Sequence, residues 1–307
     1  MAVVVFAVWM SGGGSDSSAE ADPTPPAAFT GQGGALPSPR RQTIVPADPP
    51  AITGLSAAII EEPCAAPVYA ANAHQELPPA SLTKIATALV AEEHARLSDT
   101  VAITVNGPEL SAETDATVMG LEPGQRLTVR DLLYGLLLMS GEDAAIQLAK
   151  HVSGGVQPFV ALMNQKATQM GLEDTQFTNP HGLDEPGLYT SAYDMAVLGR
   201  ELLHRPELAE IVRTQRYQPA WDGPALRNLN LFLGQYPGAL GVKTGFTDQA
   251  GQTIVAAAER DGRRLIVSVL KSQDLYVDAG TLLDWAFAST PPACSTASAT
   301  LTSAQTP

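Results

Sequence analysis

Hydrophobic positions change their spacing several times along the chain, and each change predicts a different element. Residues 52–60 and 65–71 are apolar runs joined by a Glu-Glu-Pro turn, which predicts a β-hairpin. From Ser81 onward, apolar residues recur every three or four positions, the stripe of an amphipathic helix. Serine suits a helix start, so we predict that a helix begins there.

Helical spacing continues through the middle of the chain, and strand patterns return near its end. Further helices are predicted after Thr128 and at 143–151, 156–170, 191–204 and 275–287, and strands at 240–244, 252–258 and 264–270. Strands at both ends with helices between them predict a mixed α/β fold. In this fold, one sheet is assembled from the two chain ends and a helical lobe, at about 98–235, is inserted between them.

The terminal segments differ from the middle of the chain. Residues 1–10 are apolar but only half as long as the roughly 20 residues that cross a bilayer, so we interpret them as an export or anchor remnant that could tether the protein to a membrane. An ordinary flexible N-terminus is the alternative. Residues 11–50, rich in Gly, Pro and Ser, and 291–307, rich in Ser, Thr, Ala and Pro, predict a disordered linker and tail. The folded domain is therefore expected at 51–290.

Composition excludes some classes of function. The 307-residue chain has a formal net charge of −14, which argues against a nucleic-acid partner. The five histidines show no metal-binding spacing, so neither a metal nor another cofactor is expected. Cys64 and Cys294 lie far apart, and because Cys294 falls in the predicted tail, free thiols are expected. A disulfide between them in an oxidising compartment is the alternative.

Three short motifs contain residues suited to nucleophilic chemistry. Ser81 and Lys84 are three positions apart on a predicted helix, so a neutral lysine there could remove the serine proton. The Lys243-Thr244-Gly245 motif on a returning strand offers a cation and a hydroxyl for a substrate carboxylate. Ser140 interrupts a leucine-rich helix, and Asp143 beside it is expected only to cap the turn. Each motif alone is common on protein surfaces.

In this order, the three motifs are the signature of serine β-lactamases and penicillin-binding proteins. The chain further resembles the D-alanyl-D-alanine carboxypeptidases, the low-molecular-mass penicillin-binding proteins, over about 51–290. The resemblance is carried by PPASLTKIATALVA, LLLMSGEDAA, FTNPHGLDEPGLYTSAYDMA and GVKTGFTDQAGQTIVAAAERDGRRLIVSVL. It implies a β-lactamase/transpeptidase-like fold whose sheet is antiparallel and flanked by helices, with an all-helical inserted lobe.

The resemblance also implies a role for each motif. Ser81 would attack the D-Ala-D-Ala peptide bond, Lys84 would be its base, and Ser140 would bridge the two lysines and protonate the departing D-alanine. Lys243 and Thr244 would bind the terminal carboxylate, and Lys243 would help to keep Lys84 neutral. The backbone N–H groups of Ser81 and Phe246 would form the oxyanion hole, with Gly245 between Thr244 and Phe246.

Glu142 departs from the family pattern, which has asparagine two residues after the motif serine. A carboxylate accepts hydrogen bonds but donates none unless it is protonated. Its charge near Lys84 would also favour the charged, non-basic lysine. Alternatively, the two lysines would hold Glu142 in a salt bridge.

The resemblance thus implies an extracytoplasmic serine carboxypeptidase that acts on peptidoglycan stem peptides and is acylated by β-lactams. We expect a monomer. One alternative is a slow or inactive muropeptide sensor, which the substitution at Glu142 suggests. Another is a β-lactamase or esterase, which the absence of a Glu-x-x-Leu-Asn type loop disfavours.

Overall fold

The computed structural model describes residues 48–114, 116–219, 221 and 223–294. With strands numbered in chain order, its main sheet contains β1 (Ser56–Glu61), β2 (Ala66–Ala71), β7 (Ala239–Thr247), β8 (Gly251–Arg260) and β9 (Arg263–Ser272). The strands lie in the order β2-β1-β9-β8-β7, and every neighbouring pair is antiparallel. Strands from the two chain ends meet where β1 pairs with β9.

Between β2 and β7 lie most of the helices and four very short strands. They are α1 (Thr83–His94), β3 (Thr100–Ala102), α2 (Gly107–Thr114), β4 (Arg126–Thr128), α3 (Val129–Leu138), α4 (Glu142–Ser153), α5 (Val156–Gln169), α6 (Ala192–Leu203), α7 (Pro206–Arg213), β5 (Arg216–Tyr217), β6 (Leu226–Arg227) and α8 (Phe232–Gln235). The last helix is α9 (Leu275–Ser289). Apart from two two-stranded sheets, β3-β4 and β5-β6, the regular elements of the inserted segment, as far as the structure describes it, are helices.

Helices cover both faces of the sheet. The central strands β8 and β9 are apolar on both faces, with residues 254–258 and 265–270 buried throughout. Helix α9 packs on one face, and α6 packs on the other beneath α1. Because both faces are covered, these strands are continuous apolar runs rather than alternating ones. The edge strand β7 is bordered by α7 and by the turn that precedes α1.

The mixed α/β fold with a sheet built from both chain ends is as the sequence predicts, and the differences are local. Strand β1 begins at Ser56 rather than at residue 52, because the backbone N–H groups of Thr53 and Gly54 donate to Asp278 of α9. Helices α2 and α7 were not predicted. Each has eight residues, which is too short for a clear repeat of apolar positions.

The expectation of free thiols is wrong, because Cys64 and Cys294 form a disulfide. Residues 290–294 do not extend away from the domain. Arg263 donates hydrogen bonds to the carbonyl oxygen and hydroxyl of Thr290, and the backbone N–H of Ala293 donates to Glu61. These contacts bring Cys294 to the β1–β2 turn, so the first part of the predicted tail is fixed to the sheet.

The predictions for residues 1–47 and 295–307 lie outside the described residues. Over the part of the chain that the structure describes, no helix combines the length and the apolar character needed to span a bilayer.

Candidate active site

Ser81 lies in a short 3-10 turn, Ala80–Leu82, directly before α1. Ala80 has a positive φ of 50° and is fully buried, so the chain turns sharply into the helix at this point. Two glycines contact the turn. A Cβ on Gly182 would lie 1.9 Å from the Ala80 carbonyl oxygen, and one on Gly245 would lie 2.8 Å from the Ser81 nitrogen. Only glycine allows the loop and the strand to approach the turn so closely.

Lys84 contacts Ser81 from one helical turn away. Its Nζ lies 2.9 Å from Ser81 Oγ and donates a second hydrogen bond of 2.7 Å to the carbonyl oxygen of His181. The side chain is 0% exposed. Burial lowers the pKa of Lys84 to about 8, although the carboxylates of Glu142 and Asp143 raise it again. A lysine with such a pKa is partly neutral near neutral pH and can accept a proton from Ser81.

Ser140 and Glu142 lie at the break between α3 and α4. Ser140 is buried and has a positive φ of 62°, which turns the chain from one helix into the next. No hydrogen bond from its hydroxyl to either lysine is present among the described residues, so the bridge expected from the resemblance is not made here. Glu142 is 5% exposed, and burial raises its pKa while Lys84 lowers it. It forms no salt bridge with a described residue.

Asp143 has a larger structural role than the simple cap expected from its position. Its carboxylate accepts hydrogen bonds from the backbone N–H groups of Met119, Gly120 and Leu121, at 2.9 to 3.0 Å. It is fully buried at the first turn of α4. Asp143 therefore fixes the 119–121 segment to the start of α4, and it contributes a negative charge near Lys84.

Lys243, Thr244, Gly245 and Phe246 follow one another on the edge strand β7. Lys243 is 2% exposed, and its Nζ donates a 2.7 Å hydrogen bond to the Thr244 carbonyl oxygen. Burial and the nearby charge of Lys84 hold the pKa of Lys243 well below its usual value. The Phe246 side chain is 64% exposed. The strand therefore places a buried amine and an exposed aromatic ring on either side of Gly245, which contacts Ser81.

The structure brings the three motifs together. Ser81 and Lys84 are hydrogen-bonded, Gly245 contacts the backbone of Ser81, and each of Lys243 and Glu142 lies close enough to Lys84 for their charges to interact. Sequence reasoning missed the part played by His181, whose carbonyl oxygen holds Lys84. The signal in the sequence was the NPHGLD segment, which is part of one of the stretches that carry the family resemblance. Within the described residues, no group of three or more His, Cys, Asp or Glu side chains is arranged to hold a metal ion.

Comparisons with a family model and with individual relatives point to the same family. The family described as D-alanyl-D-alanine carboxypeptidase matches residues 43–274. A D-alanyl-D-alanine carboxypeptidase of Bacillus subtilis is 35% identical over 76% of this chain and 61% of its own length. Another, from Mycobacterium tuberculosis, is 40% identical over 70% of this chain and 76% of its own length. The chain thus spans about three fifths of the Bacillus relative.

Solved structures share the fold. The crystal structure of penicillin-binding protein 6B from Escherichia coli has a TM-score of 0.74 and 33% sequence identity, and the match covers 80% of each chain. The family match extends over most of the described residues and includes all three motifs. This chain belongs to the D-alanyl-D-alanine carboxypeptidase family.

Proposed function

We propose that the protein is a serine D-Ala-D-Ala carboxypeptidase that removes the terminal D-alanine of peptidoglycan stem peptides through an acyl-enzyme on Ser81. The observation that carries this proposal is the 2.9 Å contact between Lys84 Nζ and Ser81 Oγ in a buried site. A serine hydroxyl becomes a useful nucleophile when an adjacent base takes its proton. The family and the names of the relatives support the choice of substrate.

In the first step, Ser81 Oγ attacks the carbonyl carbon of the penultimate D-alanine while its proton passes to neutral Lys84. The carbonyl oxygen becomes an oxyanion between the backbone N–H groups of Ser81 and Phe246. These donors come from the 3-10 turn and from β7, which Gly245 brings into contact. Preorganised donors of this kind each contribute about a hundredfold or more to the rate.

The tetrahedral intermediate then collapses. The bond between the carbonyl carbon and the leaving nitrogen breaks, and the proton held by Lys84 returns through the Ser140 hydroxyl to the amine of the departing D-alanine. Water attacks the resulting ester, gives one proton to Lys84, and the Ser81–carbonyl bond breaks. Ser81 regains its proton from Lys84, and the shortened peptide leaves with a new carboxyl group, which releases the second proton of the water to solvent.

The substrate carboxylate is held by Lys243 and Thr244 in this proposal. Two ammonium groups in one buried site repel each other, which disfavours charging both. A carboxylate bound at Lys243 stabilises the positive charge there and thereby favours the neutral form of Lys84. Glu142, at the start of α4, would accept hydrogen bonds from substrate N–H groups at the position where the family has asparagine.

The chemistry places the reaction outside the cytoplasm, where peptidoglycan is built. The disulfide between Cys64 and Cys294 supports this setting, because disulfides persist in oxidising compartments. β-Lactams mimic the substrate carbonyl and are proposed to acylate the same serine. An N-terminal membrane tether and a monomeric state remain part of the proposal.

Intact mass spectrometry after exposure to penicillin tests the function. The wild-type protein should gain the mass of one penicillin, peptide mapping should place it on Ser81, and D-alanine release from a D-Ala-D-Ala peptide should be measurable. Ser81→Ala should lose both, whereas Ser98→Ala, at an exposed serine, should retain them. D-Alanine release by Ser81→Ala would show that another residue is the nucleophile.

A further inference from the structure

The loop formed by residues 179–185, which we name the bracing loop, contacts both halves of the proposed active site. Its sequence is NPHGLDE, and it lies between α5 and α6. The loop has its own internal support. The Asn179 side chain accepts hydrogen bonds from the backbone N–H groups of His181 and Gly182, and it donates to the Leu183 carbonyl oxygen and to Glu185. The loop is therefore a defined unit rather than a loose connection.

One side of the bracing loop fixes the nucleophile turn and the base. The carbonyl oxygen of His181 accepts from Lys84, and that of Pro180 accepts a 2.6 Å hydrogen bond from Thr87, one turn further along α1. Gly182, at a positive φ of 96°, contacts the Ala80 carbonyl oxygen so closely that no side chain would fit. The loop thus contacts the turn immediately before Ser81.

The other side of the loop reaches the end of β7. Asp184 Oδ1 accepts a 2.7 Å hydrogen bond from Thr247 Oγ1, and Asp184 Oδ2 accepts a 3.2 Å hydrogen bond from the backbone N–H of Gln249. Thr247 Oγ1 in turn accepts from the backbone N–H of Ala250. Thr247 directly follows Phe246, whose N–H is the proposed second oxyanion donor.

These contacts close a ring. The turn at Ser81 touches Gly245 of β7, β7 ends at Thr247, Thr247 is bound by Asp184, and the loop carrying Asp184 returns to the turn through Gly182. Because β7 is an edge strand, it pairs with β8 on one side only. On its other side, the end of the strand is held by the hydrogen bond between Thr247 and Asp184. Displacement of the strand end would change the distance between the two oxyanion donors.

We propose that Asp184 is a positioning residue for acylation: its carboxylate holds Thr247 and the β7–β8 turn so that the Phe246 N–H stays aligned with the Ser81 N–H. This inference rests on the proposed function of the site. Asp184 does not touch the reacting atoms in this account. It acts through Thr247, so removing either partner of the contact should have the same consequence.

The test measures the rate of penicillin acylation as a function of penicillin concentration. This gives the acylation rate constant separately from the saturation constant, which reports penicillin binding before acylation. Asp184→Ala and Thr247→Val should each lower the acylation rate constant by about tenfold to a hundredfold, since small misplacements of catalytic groups are costly. The saturation constant should change by less than about threefold, because Lys243 and Thr244 are unaltered. A merely structural role would lower the active fraction rather than this rate constant.

Three further variants sharpen the test. Asp184→Ala and Thr247→Val both remove the hydrogen bond between Asp184 and Thr247, and each also removes one backbone contact of its own. The loss in the double variant should therefore be much smaller than the product of the two single losses. Thr247→Ser keeps the hydroxyl and should restore most of the rate. Asp248→Asn removes a charge from an exposed neighbour in the same turn and should acylate like the wild type.

The outcomes distinguish this inference from the function on which it rests. If penicillin acylates the wild-type protein and the acylation rate constant of Asp184→Ala or Thr247→Val is unchanged, the positioning role alone would be overturned. Losses that multiply in the double variant would also overturn it, since they would show two independent effects. A wild-type protein that takes up no penicillin would overturn the proposed function and this inference with it. If Asp184→Ala does not fold, Thr247→Val, which is similar in size, still decides the matter.

Discussion

Two buried lysines from different regions of the molecule provide the most informative comparison. Lys84, on α1, and Lys243, on β7, are 0% and 2% exposed, and burial lowers the pKa of both. Their electrostatic surroundings differ. The start of α4 places Glu142 and Asp143 near Lys84, which keep its pKa at about 8. Lys243 is instead influenced by the charge of Lys84, which together with burial holds its pKa well below the usual value of a lysine.

The comparison shows that burial alone does not define a base. Lys84 has a serine hydroxyl and a backbone carbonyl as hydrogen-bond partners, whereas Nζ of Lys243 donates to the carbonyl of the next residue. The first arrangement suits proton transfer with Ser81. The second leaves an amine that an incoming carboxylate can charge. Repulsion acts on both amines. Without a bound carboxylate, the charge of Lys84 lowers the pKa of Lys243, and a carboxylate that charges Lys243 would in turn favour neutral Lys84.

Replacement of Lys84 should have the largest effect. Lys84→Met preserves much of the buried volume but removes the base, so penicillin acylation should slow by roughly a thousandfold. Stopped-flow or quenched acylation assays measure this rate. Lys150→Met, at an exposed lysine, is the matched control and should behave like the wild type. A Lys84→Met protein that acylates at the wild-type rate would remove Lys84 from the mechanism.

Replacement of Lys243 should affect substrate binding more than proton transfer. Lys243→Met should raise KM for a D-Ala-D-Ala peptide by about tenfold to a hundredfold, since a charge-assisted hydrogen bond is lost. The same peptide with a C-terminal amide is the control substrate, and its KM should be the same for the variant and the wild type. Equal losses with both peptides would argue against a carboxylate at Lys243.

Removal of the Glu142 charge should produce a moderate gain. The carboxylate favours charged Lys84, so Glu142→Gln should lower the pKa of Lys84 and move the rising limb of the acylation rate to lower pH. Near neutral pH, the rate should rise several-fold, up to about tenfold for one pH unit of displacement. Glu122→Gln, at an exposed glutamate, is the control.

The same position tests the sensor alternative. If Glu142 makes the protein a slow sensor, Glu142→Asn, which restores the family residue, should raise peptide turnover strongly. Unchanged turnover in Glu142→Asn would count against that alternative. A limb that moves to higher pH in Glu142→Gln would contradict the electrostatic account of Lys84.

Loss of the disulfide should have the smallest effect on acylation, the step in which the two lysines take part. Cys64 lies at the β1–β2 turn, and β2 forms the edge of the sheet opposite to β7. Cys64→Ser/Cys294→Ser should lower the free energy of unfolding by about 2–5 kcal/mol, as chemical denaturation would measure. The acylation rate constant of the folded protein should stay unchanged. A slowed acylation step would indicate coupling across the sheet.

The sequence predicted the main elements because their signals are local. Apolar runs identified β8 and β9, and helical spacing identified α1, α3 and α6. The proximity of Ser81 and Lys84 followed from one helical turn. The convergence of Lys243 with them came from the family resemblance, since no local pattern reports a contact between residues so far apart in sequence.

Long-range contacts account for what the sequence missed. The small and polar residues around Cys294 predict a free tail, whereas a hydrogen bond donated by Arg263 to Thr290 and one accepted by Glu61 from Ala293 bring Cys294 to Cys64. The contact of Asp184 with Thr247 joins two loops in the same way. The depressed pKa of Lys84 depends on its burial in three dimensions, which its position in a helical stripe does not reveal.

The pH dependence of the penicillin acylation rate constant tests the central claim most directly. If buried Lys84 must be neutral to take the Ser81 proton, the wild-type rate should rise with pH and reach half of its plateau at about pH 8. A flat profile, or a rise centred near about pH 10.4 as for an exposed lysine, would contradict the account.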